Sequence, residues 1–321
     1  MKNFPLCNYK APVVLGDGSL PYQTKIIEHK GLPIEITSIA DKDNGEVKAV
    51  MYRAHSRVLD FCQDYGGFVV DHGRVVGCLV ADGVGSVSLS QEVAYQVVDQ
   101  SARQLEELVN MGLGINSQLI KGVWRANLFP NWDLTDYVDG ERIKVETHPE
   151  YYVFGADGMI GDVEVILEQG PKNFLGATTL FTALKSPRTL HTMNIGDCGG
   201  VVVGDQVKSV YGGSDDFYRK TPNQIGTWGN DNWGLSRNGV DYEQTVISEN
   251  DLLAFFSDGC LKKGHTTSEA VADLLFSLRS DDLESFGLEL FDELAITKGA
   301  IFGKEQQWGL PDDATLVLLK N

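Results

Sequence analysis

Apolar residues along this chain recur at two different spacings. Alternating or unbroken apolar runs predict strands at 65–71 and 74–82, joined through His72-Gly73 as a hairpin. The same pattern predicts strands at 188–197, 199–203, 206–211, 251–257 and 314–319. A strand of small residues, 175–184, carries Gly176-Ala177-Thr178-Thr179. Within residues 1–50, short alternations such as Ile34-Glu35-Ile36-Thr37-Ser38-Ile39 predict one or two edge strands. The second spacing, three and four, joins Val93, Val97, Val98, Ala102, Leu105 and Val109. It predicts a helix over 88–109 with one buried face, opened by Ser88 and Gln91 at capping-box spacing. Thr266 and Glu269 repeat that spacing ahead of the stripe Val271, Leu274, Leu275 and Leu278, and a further helix is predicted over 281–296. Helices fall in two blocks rather than after every strand, which favours packed antiparallel sheets with helices outside them.

Two regions break the pattern. In 111–172, Gly112, Gly114, Pro130 and Gly140 interrupt any periodicity, so this stretch is read as an insertion. It holds one hairpin, 151–154 with 163–167, turning at Gly155-Ala156-Asp157-Gly158, where Asp157 is read as structural. Residues 212–240, rich in Gly, Asn, Asp and Trp, read as a surface loop or flap. The chain is otherwise expected to be one domain over 1–321.

The strand ends carry the chemistry. Val75 to Ala81 runs into Asp82-Gly83, and Leu252 to Phe256 runs into Ser257-Asp258-Gly259. Met193-Asn194-Ile195-Gly196 ends on Asp197, Asp312-Asp313 opens a run, and Gln63-Asp64 precedes another. One such Asp-Gly is ordinarily a turn. Five carboxylates against five strand-like runs favour a metal site, because a carboxylate at the end of a buried strand is costly unless neutralised and hard cations prefer oxygen ligands.

Charge and composition narrow the function. Lys and Arg total 27 and Asp and Glu 45 among 321 residues, a formal charge of −18. A basic nucleic-acid-binding stripe is not expected. No run approaches the ~20 apolar residues of a membrane span, and residues 1–7 lack a signal-peptide core, so a cytoplasmic location is expected. Five cysteines without a C-x-x-C argue against a disulfide framework. Cys62, Cys198 and Cys260, each within two residues of a motif Asp, are read as small buried residues. His72 is read as an exposed turn residue.

Six stretches in order resemble the metal-dependent type 2C (PPM) protein phosphatases. They are Gln63-Asp64-Tyr65, Val80-Ala81-Asp82-Gly83-Val84-Gly85, Gly176-Ala177-Thr178-Thr179, Asn194-Ile195-Gly196-Asp197, Phe256-Ser257-Asp258-Gly259 and Asp312-Asp313-Ala314-Thr315. The resemblance implies an α+β fold, a four-layer α-β-β-α sandwich of two antiparallel sheets flanked by helices. It implies two Mg²⁺ or Mn²⁺ ions, with Asp82 bridging them, Asp64 and the Gly83 carbonyl on one, Asp258 and Asp312 on the other, and Asp197 with Asp258 for a weaker third. Asp64, Asp82, Asp258 and Asp312 are thereby the catalytic set. The implied activity is hydrolysis of phosphoserine or phosphothreonine in a phosphorylated protein substrate, by direct attack of a metal-bridging hydroxide. The Ala-Asp-Gly-Val-Gly form and Thr221-Pro222-Asn223-Gln224-Ile225-Gly226 look closest to a subgroup with mitochondrial members, although no targeting segment accompanies them.

The chain departs from the family pattern. Gln63 replaces a common Glu, Ser86 replaces a glycine, Cys198-Gly199 follow Asp197 without an Arg, and Val84 stands where some relatives carry an acid-catalytic His. Leu59 occupies the position of a phosphate-gripping Arg, with Arg57 or Arg53 as substitutes. The second reading is therefore a catalytically weak phosphatase-fold binding or regulatory protein, and the third a hydrolase of small phosphate esters.

Overall fold

The computed structural model describes residues 12–16, 18–55, 62–83, 90–110, 152–154, 160–162, 177–212, 225–228, 232–235, 241–261, 267–278, 282–298, 308–310 and 312–321. Strands β1 (Val13–Gly16), β2 (Tyr22–His29), β3 (Leu32–Ala40), β4 (Val47–Ala54), β5 (Tyr65–Asp71) and β6 (Arg74–Ala81) precede helix α1 (Ser90–Asn110). Then come β7 (Tyr152–Phe154), β8 (Ile160–Asp162), β9 (Ala177–Thr178), β10 (Leu180–Ser186), β11 (Thr189–Ile195), β12 (Gly199–Val203) and β13 (Val207–Gly212). Strands β14 (Ile225–Trp228), β15 (Asn232–Leu235), β16 (Asp241–Val246) and β17 (Leu252–Phe256) lead to helices α2 (Ser268–Leu278) and α3 (Leu283–Ala295). The chain closes with β18 (Thr297–Lys298), β19 (Trp308–Gly309) and β20 (Ala314–Lys320).

Two sheets dominate. One has six strands in the order β1-β5-β6-β10-β11-β16, the other seven in the order β13-β12-β17-β20-β4-β3-β2. Apolar side chains of both, among them Phe68, Val80, Phe181, Val202, Phe255 and Val317, fill the space between them. α1 packs on the outer face of the six-stranded sheet through Val97, Ala102 and Leu105. α2 and α3 cover the other sheet through Val271, Leu275, Phe286 and Leu290. The result is the expected α+β sandwich, four layers deep, because each sheet has two apolar faces to bury.

The structure corrects several details. The first fifty residues supply three neighbouring strands of the seven-stranded sheet, not one or two edge strands, and β4 lies inside it. The six-stranded sheet is not wholly antiparallel, since β1 runs parallel to β5 at its edge. The hairpin in the 111–172 region pairs β7 with Ile160–Asp162; residues 163–167 and Asp157 lie outside the described residues. Within 212–240, β14 pairs with β15 on one side and with β9 on the other. β16 went unpredicted because Asp-Tyr-Glu-Gln-Thr-Val has little apolar alternation, as suits an edge strand. Thr267 caps α2, accepting from the Ala270 N–H at 3.4 Å; Thr266 lies outside the described residues. The β5–β6 hairpin is as expected, with left-handed φ at His72 and Gly73 and the His72 side chain 89% exposed.

The inter-sheet core should dominate stability. Phe181 and Phe255 stack with ring centroids 5.1 Å apart, both fully buried. Phe255→Ala should cost about 3–5 kcal/mol. Val246→Ala, at a residue 73% exposed, should stay within about 0.5 kcal/mol. Urea unfolding followed by tryptophan fluorescence checks both values.

Candidate active site

Register brings the motif residues to one end of the sandwich. Tyr65 pairs with Ala81, so Asp64 and Asp82 flank one end of the β5–β6 hairpin. Phe181 pairs with Val80 and Leu180 with Ile195, which carries that end across to the close of β11. The chain then crosses to the other sheet through 196–198. There Gly199, opening β12, pairs with Phe256, closing β17, and Phe256 pairs with Leu316 of β20. Asp197, Asp258 and Asp312 therefore sit at the strand ends that meet Asp64 and Asp82.

Two glycines let these ends close up. A Cβ on Gly83 would stand 2.6 Å from the Gln63 carbonyl oxygen, and one on Gly259 only 1.7 Å from that of Asp313. Asp-Gly is thus needed here for close backbone approach rather than for a left-handed turn.

Asp64 is 1% exposed. Its Oδ2 accepts the Ser257 hydroxyl at 2.5 Å. Its Oδ1 is buried and has no hydrogen-bond partner among the described residues. The Asp82 backbone is clamped instead by threonines. Its carbonyl accepts from the Thr178 hydroxyl and the Thr179 N–H, both at 2.8 Å, and its N–H donates to Thr179 Oγ1 at 3.3 Å. Gly83 forms an antiparallel bridge with Thr178. Behind them Cys198 Sγ lies 3.0 Å from Thr179 Oγ1. Asp197 Oδ1 is buried and, among the described residues, also without a partner.

These carboxylates repel one another. Burial, then Asp313, with Asp258 and Asp312 beyond, pushes the Asp64 carboxyl well above the usual range. Burial followed by Asp258, Asp64 and Asp197 does the same to Asp82. Burial, with Asp312, raises Asp197. The five sequence-predicted carboxylates thus feel one another electrostatically. Among the described residues no group of three or more His, Cys, Asp or Glu side chains is already in place to hold a metal ion. Ionised carboxylates gathered at this end would repel one another until a cation offset their charge. Orphaned buried oxygens and an all-oxygen donor set fit Mg²⁺ or Mn²⁺.

Other sequence expectations fare differently. Arg53 is no phosphate grip: at 1% exposure its Nε and Nη2 donate to Glu35 Oε1 at 2.8 and 2.5 Å, and it stacks over the Tyr65 ring. Arg57, Leu59, Val84, Gly85 and Ser86 lie outside the described residues, as does Ser88 with its capping box. Cys198 and Cys260 are buried and Cys62 partly so. Burial and neighbouring carboxylates hold all three thiols protonated. Sequence reasoning missed Asp313, whose buried Oδ2 accepts the Gln63 N–H at 2.6 Å. The Asp312-Asp313 doublet was its only signal.

The family model described as protein phosphatase 2C matches residues 53–286. A bacterial serine phosphatase variant superposes with TM-score 0.50 at 16% identity, covering 84% of this chain and 96% of that one. The Mycobacterium tuberculosis serine/threonine phosphatase PstP/Ppp gives TM-score 0.48 at 17% identity, covering 85% and 97%. A PstP catalytic domain in complex with two manganese ions gives 0.45 at 16%, covering 85% and 97%. At such identities the likeness concerns the fold. Among curated protein sequences none matches the chain. Among the described residues no helix is long and apolar enough to cross a membrane.

The raised carboxyls have a consequence for the metal-free protein. Asp64 titrates higher folded than unfolded, where it has its ordinary value of 3.8. The folded chain therefore holds the proton more tightly, and the stability this gives is full below about pH 4 and lost as pH rises through the folded value. In EDTA, Asp64→Asn should raise the thermal midpoint at pH 7.5 by roughly 2–4 °C for each kcal/mol of repulsion relieved, and by less at pH 5. Scanning calorimetry at the two pH values checks this; an equal shift at both would contradict it.

Proposed function

Since the chain belongs to the protein phosphatase 2C family, we propose that it is a phosphatase acting on phosphoserine and phosphothreonine in proteins, dependent on Mg²⁺ or Mn²⁺. Asp64, Asp82, the Gly83 carbonyl, Asp258 and Asp312 would hold two ions, Asp82 shared between them. Asp197 with Asp258 would serve a weaker third. The observation that carries this reading is a set of mutually repelling carboxylates, Asp64 buried and the others half-buried, with orphaned oxygens on Asp64 and Asp197. A single domain over 1–321 with an insertion at 111–172, and a cytoplasmic location, complete the proposal.

Divalent cations held there supply Lewis acidity toward a phosphoryl group and toward water, so no nucleophilic side chain is required. The chain's own contribution is placement. Thr178 and Thr179 fix the Asp82 backbone through both its carbonyl and its N–H. Asp64, Asp258 and Asp197 all push the Asp82 carboxyl up, and Asp82 would be the ligand common to both ions. Burial of Asp64 keeps bulk water from competing for its Oδ1, which is unpartnered among the described residues. The inert thiols leave cysteine out of the chemistry.

One observation favours a second reading. Arg53 is occupied by Glu35 and Tyr65, so it gives the phosphate no grip, and a binding or regulatory protein of the same fold would need none. Hydrolysis of an aryl phosphate and of a phosphopeptide with Mn²⁺ separates the readings. The phosphatase should turn over both, and Asp82→Asn should lower the rate about a hundredfold or more. Mn²⁺ uptake without turnover of either substrate would support the second reading. Turnover of small esters alone would make the protein a metabolite phosphatase.

A further inference from the structure

We infer that Ser257 is a positioning residue for the metal centre: its hydroxyl holds one oxygen of Asp64 so that the other is presented, still charged, to a divalent cation. The inference rests on the reading of Asp64 as a metal ligand. Ser257 is fully buried at the end of β17, one residue before Asp258. A serine hydroxyl has one proton and two lone pairs. The Thr315 N–H donates to Ser257 Oγ at 2.9 Å, which turns the serine proton away from Thr315 and toward Asp64 Oδ2, 2.5 Å distant. The backbone is pinned as well. The Ser257 N–H donates to the Thr315 carbonyl at 3.0 Å, and the Ser257 carbonyl accepts from the Cys260 N–H at 3.1 Å.

The neighbouring residue completes the arrangement. Gln63 donates its N–H to Asp313 Oδ2. These bonds tie together three chain segments, and each carries one of the predicted ligands: Asp64, Asp258 and Asp312. A lysine or arginine at position 257 would neutralise Asp64. A hydroxyl satisfies one oxygen and leaves the negative charge in place. Holding Oδ2 also stops the carboxylate from rotating, so it offers a single ligand atom, Oδ1, which has no other partner among the described residues. Outer partners of this kind orient ligating groups and change metal affinity by about 10–100-fold when removed.

The test is Mn²⁺ titration by calorimetry into the full chain, as wild type, Ser257→Ala, Asp64→Asn and the double variant. Thermal unfolding in EDTA is recorded for each. Ser257→Ala should weaken Mn²⁺ binding about tenfold or more. In the Asp64→Asn background it should add less than about twofold, because no charged oxygen is left to aim. Ser257→Cys keeps the buried volume but offers a weak donor; it should lose affinity as the alanine does, and it serves if Ser257→Ala does not fold. Unchanged affinity in Ser257→Ala or Ser257→Cys, or equal weakening in both backgrounds, would overturn the inference alone. A wild-type chain that takes up no Mn²⁺ would overturn the metal reading and the inference with it.

Discussion

Like charges gathered at one end, Asp64 and Asp313 buried and their neighbours half-buried, organise this molecule. Asp64 and Asp82 lie at one end of the β5–β6 hairpin, and Asp258, Asp312 and Asp313 lie at the facing ends of β17 and β20. Bringing ionised carboxylates together out of water is unfavourable by several kcal/mol per ion unless an opposite charge arrives. Every short backbone approach in the region works against that repulsion. The glycines at 83 and 259 let the strand ends meet, the threonines at 178 and 179 hold Asp82, and the large apolar inter-sheet core supplies the stability that offsets the repulsion. A fold that keeps such a cluster together gives up stability, which the proposed cations would restore.

That division of labour explains where the chemistry lies. The sheets are rigid and almost wholly apolar inside, while the carboxylates hang from their ends on short connections. Positioning groups are neutral donors, serine and threonine hydroxyls and backbone N–H, which orient without discharging. The one deeply buried arginine among the described residues, Arg53, is balanced by Glu35 and stands outside this economy of charge.

Much of this was legible in the sequence because it is local. Asp82-Gly83 and Asp258-Gly259 are marked by the apolar runs they end, and the β5–β6 hairpin by alternation and a His-Gly turn. The face of α1 is likewise readable from spacing alone. What was not legible depends on partners far away in the chain. Ser257 meets Asp64 across 193 positions and Asp313 meets the Gln63 backbone across 250, and no local pattern announces either. Arg53 read as a substitute phosphate grip because its partner, Glu35, is found only through the β3–β4 register. Polar edge strands such as β16 escaped because they bury little on either face.

The most direct measurement is the anomalous scattering of manganese in crystals of the full chain grown with Mn²⁺. Two strong peaks are predicted among the carboxylates of Asp64, Asp82, Asp258 and Asp312, with Asp82 reaching both. Peaks elsewhere, or crystals that hold no manganese at this end of the sandwich, would contradict the idea that these acidic strand ends exist to bind cations.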